Sequence, residues 1–173
     1  FQLLAGVVQG LLATVRLEPS VQDKVRTGLG DHVEAACSAF PELAALFGAG
    51  ALGQLGPETF AETRSVQAMA ALLDALGETG RPVVMLLDDC QWADQLTLKV
   101  LVNWLRRKTS VRPILLVVAF RSEEVPASHP LRALESVAQL ALPSFPAANV
   151  RKLVESMAGP LPDEAVSVIE RLA

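Results

Sequence analysis

The sequence predicts an α/β protein with parallel strands, and three observations carry that expectation. Val83 to Leu87 and Pro113 to Phe120 are apolar runs of strand length with several β-branched residues, the pattern of strands buried on both faces of a parallel sheet. Around them, apolar residues recur at helical spacing. Polar groups then enter abruptly where the two runs end, Asp88-Asp89 after the first and Arg121 after the second. In open α/β sheets those carboxyl ends border the ligand crevice. With 173 residues, 51% hydrophobic and 20% charged, the chain has enough apolar material for one globular domain with a sizeable core.

The net charge of −4 gives no general attraction to nucleic acid or anionic lipid. The one basic cluster, Arg106-Arg107-Lys108, stands where a helix ends and suits its dipole. Cys37 and Cys90 are the only cysteines, and without a secretory leader they point to a reducing, cytoplasmic setting. No apolar run approaches the length needed to cross a bilayer. The chain starts at Phe1 without an initiator Met and stops mid-pattern at Glu170-Arg-Leu-Ala173, so it reads as a segment of something longer.

Leu4, Val7, Val8, Leu11, Leu12 and Val15 mark one face of a first amphipathic helix. Shorter helical pieces follow over roughly Val21 to Leu29, Asp31 to Phe40 and Pro41 to Phe47, with Asp31 as a cap and Pro41 in a first turn. Gly48 to Gly56 is glycine-rich but lacks the Lys-Ser/Thr ending of a phosphate loop, and reads as a flexible connector. Val66, Met69, Leu73 and Leu76 restore helical spacing until Gly77 and Gly80 end it. After the first strand, Asp94 suits the N-cap of a helix whose inner stripe is Leu98, Leu101, Val102 and Leu105, with Trp104 at its border. Trp92 precedes that helix, with packing or a nucleotide contact both open. Cys90 is either redox-sensitive or a small residue filling a turn, and the second reading fits better.

Beyond Arg121, His129 has no second His or Cys nearby, which argues against a metal site. A short helix carries Leu131 and Leu134. Val137 to Leu142 alternates weakly and predicts a third strand. Pro143-Ser-Phe-Pro146 then opens a helix with Val150, Leu153, Val154 and Met157 inward, and a last helix covers Asp163 to Leu172.

The stretch Val83-Val-Met-Leu-Leu-Asp-Asp-Cys-Gln-Trp-Ala-Asp94 resembles the Walker B strand of P-loop NTPases. Its Gln91-Trp92-Ala93-Asp94 continuation is similar to the AAA-like ATPase module of signal-transduction NTPases with numerous domains (STAND). That family occurs in large bacterial transcriptional regulators and in multidomain kinases and cyclases. The resemblance implies a partial P-loop NTPase fold of three layers. Residues 1–143 would form an incomplete nucleotide-binding domain, with a helical insert over about 1–56 and the Walker B and sensor strands over about 81–143. Residues 144–173 would begin a helical lid.

The resemblance further implies ATP and Mg²⁺ as cofactors. Asp88 would hold Mg²⁺ directly or through water, Asp89 would polarise the water that attacks the γ-phosphate, and Arg121 would sense that phosphate. Two bland readings stand beside these roles: the acids merely cap a turn, and Arg121 pairs with Glu123, Glu124 or Asp89. The resemblance is strong over Val83 to Asp94, fair over Ile114 to Arg121 and weak elsewhere.

No Gly-x-x-x-x-Gly-Lys-Ser/Thr occurs in the 173 residues. In the resembled family that loop lies upstream, so the segment alone is expected to bind ATP weakly or not at all. Two functions compete: half of an ATPase switch that regulates attached effector domains (kinase, cyclase or DNA-binding regulator), with oligomerisation on activation left open, or a catalytically inactive scaffold for protein contacts. Direct DNA binding and membrane association do not fit the charge or the hydropathy.

Overall fold

The computed structural model describes residues 1–48, 58–107, 113–134 and 137–172, and the chain divides into two units, Phe1–Glu135 and Ser136–Ala173. The first unit opens with four helices: α1 (Gln2–Leu17), α2 (Ser20–Leu29), α3 (Val33–Ala39) and the single turn α4 (Ala44–Phe47). In α1 the predicted stripe is inward, with Leu4, Val8, Leu11 and Val15 buried. Asp31 does not cap α3; it lies in a 3₁₀ turn, Gly30–His32, and no side chain caps that helix. The glycine-rich connector lies outside the described residues apart from Gly48, which takes φ 93° just after α4.

Helix α5 (Ala61–Gly77) is the axis of the unit. Met69, Ala70, Leu72, Leu73 and Ala75 are all buried, so more than one face is covered, and α2, α3 and α6 (Gln95–Arg106) pack around it. Small residues allow the closest approaches. A Cβ on Gly28 of α2 would stand 2.7 Å from the Ala75 Cβ, and one on Gly77 would stand 3.0 Å from the Ile114 side chain. Asp74 ties α5 to the end of α6, accepting from Trp104 Nε1 at 2.8 Å and from Arg107 Nη1 at 3.1 Å. Arg107 therefore serves an interhelical ion pair rather than the helix dipole alone. Trp104 is core, as its place beside the apolar stripe suggests.

Strands β1 (Val83–Leu87) and β2 (Ile114–Val118) pair in parallel, Val83 opposite Ile114 and Leu87 opposite Val118, with α6 as the crossover. The chain is thus a mixed α/β structure around a small parallel sheet, but not the three-layer arrangement expected. Met85 and Leu87 face the helices, whereas Val84 is 70% exposed, Leu86 67%, Leu115 59% and Val117 38%. An apolar strand can be buried on both faces only if elements cover both, and among the described residues only one face is covered.

The third strand predicted over Val137 to Leu142 does not form. Val137, Leu140 and Leu142 are exposed and unladdered, because a strand needs a hydrogen-bonded neighbour and these residues pair with none among the described ones. The second unit contains α7 (Ala147–Ala158) and α8 (Asp163–Leu172), packed on each other through buried Val150 and Val166. Leu153 and Met157, expected inward, are exposed. No helix among the described residues is long and apolar enough to cross a membrane.

Candidate functional site

Asp88 and Asp89 leave the sheet between two bonds to a single residue. Ala119 donates its N–H to Leu87 O at 2.9 Å and accepts from the Cys90 N–H at 2.9 Å, so the intervening acids bulge out of the ladder into solvent. The bulge requires a left-handed residue. Asp89 supplies it at φ 51°, ψ 37°, the only non-glycine with positive φ among the described residues. Aspartate tolerates that region better than most residues because its short polar side chain bonds locally. The Asp88 Oδ1 also accepts the Asp89 amide at 2.9 Å, which fixes the first carboxylate against the turn.

Cys90 plugs the turn from below. Its thiol is buried and donates to Leu87 O at 3.3 Å. Burial pushes that thiol up to about 11, and the nearby negative charges of Asp88 and Asp89 add to the effect while the bond to Ala119 opposes it. A protonated, enclosed thiol is unreactive, so the turn-filling reading holds. Trp92, by contrast, is exposed.

Asp94 caps α6 as predicted, accepting from the Thr97 N–H and hydroxyl at 2.8 Å each. Partial burial works against its charge, but bonds from the Thr97 N–H and hydroxyl and from the Gln2 amide favour the ionised form, and the carboxyl lies below the usual range. The loop that carries the acids therefore runs into a firmly capped helix.

Arg121 lies just past the end of β2 and is exposed, with Nη1 3.5 Å from Glu124 Oε1. Its backbone N–H bonds to the Gln91 side chain at 3.3 Å, and Gln91 in turn donates to Asp89 Oδ1 at 2.9 Å. The predicted residues thus meet at one end of the sheet, with Gln91 as the link. Arg132 secures the loop beyond: its guanidinium stacks on Phe120 at 5.1 Å and donates to Ser122 O and Val125 O. Arg132 is not distinguishable from a solvated polar residue by spacing, and Gln91 stands out only as part of the Gln91-Trp92-Ala93-Asp94 stretch, since the partners of both are set by tertiary approach. His129 accepts the Leu131 amide as a turn cap. A groove of about 400 Å³ between α1 and β1, lined by Gly6, Gly10, Thr14, Val84 and Leu86 among others, does not include the acids.

The donors at the strand end fit a hard cation that keeps most of its water. Mg²⁺ is held by one or two carboxylates plus phosphate oxygens and water, and paired exposed aspartates match that demand. No cluster of three or more His, Cys, Asp or Glu residues suited to a metal occurs among the described residues.

A parallel βαβ unit with acids at the carboxyl end of one strand and an arginine at the end of the next defines a partial α/β domain of the P-loop-like class. A family profile described as AAA ATPase domain matches residues 2–118, about two thirds of the chain, and the chain belongs to that family. It is therefore a module of the AAA ATPase type. The match includes both strands and the acid pair and stops just short of Arg121. No curated protein and no solved structure matches the chain.

Proposed function

We propose that this chain contributes the hydrolytic half of an ATP-driven switch domain of the STAND type, in a multidomain signalling protein. One observation carries the reading: Asp88 and Asp89 are expelled from the ladder at the same sheet end from which Arg121 projects, inside a chain of the AAA ATPase family. Asp88, braced by the Asp89 amide, would hold Mg²⁺ directly or through water. When bound, that ion supplies neutralising charge to the phosphate oxygens. Asp89 accepts a hydrogen bond from the attacking water and orients it toward the γ-phosphate. Arg121 exchanges its surface partner Glu124 for the phosphoryl oxygens, a task suited to the planar guanidinium.

Attached effector domains would read the nucleotide state, with closure of the C-terminal helices α7 and α8 as the moving part. In the full-length protein Asp89→Asn is expected to abolish ATP hydrolysis while nucleotide binding persists; unchanged turnover would remove Asp89 from the reaction. A scaffold without activity is favoured by one feature, the exposed aliphatic face of Val84, Leu86, Leu115 and Val117. Measurable ATP turnover by the wild-type protein eliminates that alternative.

A further inference from the structure

Gln91 makes two side-chain hydrogen bonds with opposite demands. Its Nε2 donates to the Asp89 carboxylate at 2.9 Å, and its Oε1 accepts from the Arg121 backbone N–H at 3.3 Å. Only one orientation of the amide satisfies both, because an ionised carboxylate only accepts and a backbone N–H only donates.

The bridge joins residues 30 positions apart and spans the two strand ends. Asp89 needs such a restraint. It sits on an exposed bulge in the left-handed region, and Gln91 is the side-chain donor that meets its carboxylate among the described residues. An unrestrained carboxylate there would sample several rotamers, and a misplacement of about 1 Å suffices to lower a rate strongly.

We propose that Gln91 is a positioning residue for hydrolysis. It fixes the Asp89 carboxylate and locks it to the backbone that carries Arg121, so the acid of one strand and the arginine of the next move as a unit. This inference rests on the assignment of Asp89 as the water-orienting acid. Because both bonds lie at a partly exposed site, their loss changes folding stability little, which separates positioning from structural support.

The test uses the full-length protein with Mg²⁺-ATP and two variants. Gln91→Glu keeps an acceptor for the Arg121 N–H but removes the donor to Asp89, whereas Gln91→Met has similar length and makes neither bond. Both are expected to lower kcat by about tenfold or more, with KM for ATP within about twofold of wild type, the pattern of an interaction felt in the transition state. Melting curves of the variants should overlay the wild type; if Gln91→Met does not fold, Gln91→Glu alone decides.

Wild-type kcat in Gln91→Glu would mean that only the tie to Arg121 matters, and overturns the positioning of Asp89. Wild-type kcat in both variants, with Asp89→Asn inactive, overturns the inference while leaving the assignment of Asp89 intact. Full turnover by Asp89→Asn removes the assignment and the inference together.

Discussion

The left-handed conformation of Asp89 makes it possible to separate its chemistry from its conformation with three substitutions. At φ 51°, ψ 37° a residue with an ordinary Cβ is strained by about 1–2 kcal/mol, a cost that Asp and Asn partly offset by local hydrogen bonding and Gly avoids. Asp89→Asn should therefore match wild-type stability. Asp89→Gly loses the Gln91 bond and gains about 0.5–1 kcal/mol of unfolded-state entropy, which roughly cancels the relief of strain. Asp89→Ala has no compensation and is expected to lose about 1 kcal/mol, a fall of about 2–4 °C in Tm for a domain of this size.

Urea unfolding monitored by circular dichroism gives the order, provided the slopes agree. ATP hydrolysis, measured on the full-length variants, is expected to fall by about 10²–10⁴ in all three, regardless of their stability. If the acids only shape a bend, Asp89→Gly keeps the bend and keeps full turnover. That single result, a stable and fully active glycine variant, would refute the catalytic reasoning.

Other substitutions test the surrounding structure. Arg121→Ala should weaken the preference for ATP over ADP in competition binding, since it removes the cation at the end of β2; an unchanged preference rules out a sensor role. Gly28→Ala places a methyl 2.7 Å from the Ala75 Cβ and should cost about 1–3 kcal/mol in urea unfolding. Gly10→Ala, with nothing within 4 Å of its new methyl, should instead gain about 0.5–1 kcal/mol; similar effects at both sites would contradict the α2–α5 packing. Asp94→Ala should cost about 1 kcal/mol near neutral pH through the lost cap. Because the folded carboxyl titrates below its ordinary value of 3.8, its contribution is complete above that value and fades as the pH falls further, so the wild type and Asp94→Ala should converge in strong acid.

Much of the architecture is written in local patterns. Five-residue apolar runs with branched members specify β1 and β2, and the stripes of α1 and α5 follow from spacing; in α6 Leu98 and Leu101 are buried as expected, but Val102 and Leu105 are only partly covered and Val100 takes a buried place instead. What escapes such reading is anything set by a neighbour distant in the chain. Val84 and Leu86 look as burial-prone as Met85 and Leu87, yet what covers a face is a property of other elements. Val137 to Leu142 has a strand-like alternation without a partner to make it a strand. The acids and Arg121 are prominent because charge interrupts grease at a strand end, whereas Gln91, though part of the Gln91-Trp92-Ala93-Asp94 stretch, shows its bonding partners only when Arg121 comes alongside. The left-handed turn at Asp89 has one local hint, aspartate's tolerance for it, and is otherwise imposed by the two bonds to Ala119.

Helix α6 is clamped at both tips. Asp94 grips its first turn beside the bulge, and the last turn is bolted to α5 where each oxygen of Asp74 takes one donor, from Trp104 and from Arg107. Twelve residues make a rod of about 18 Å, too short and too well seated to flex. The two ends of α6 are thus held by different elements, the first turn by the loop that follows Asp88 and Asp89 and the last turn by Asp74 of α5, at the end far from the acids.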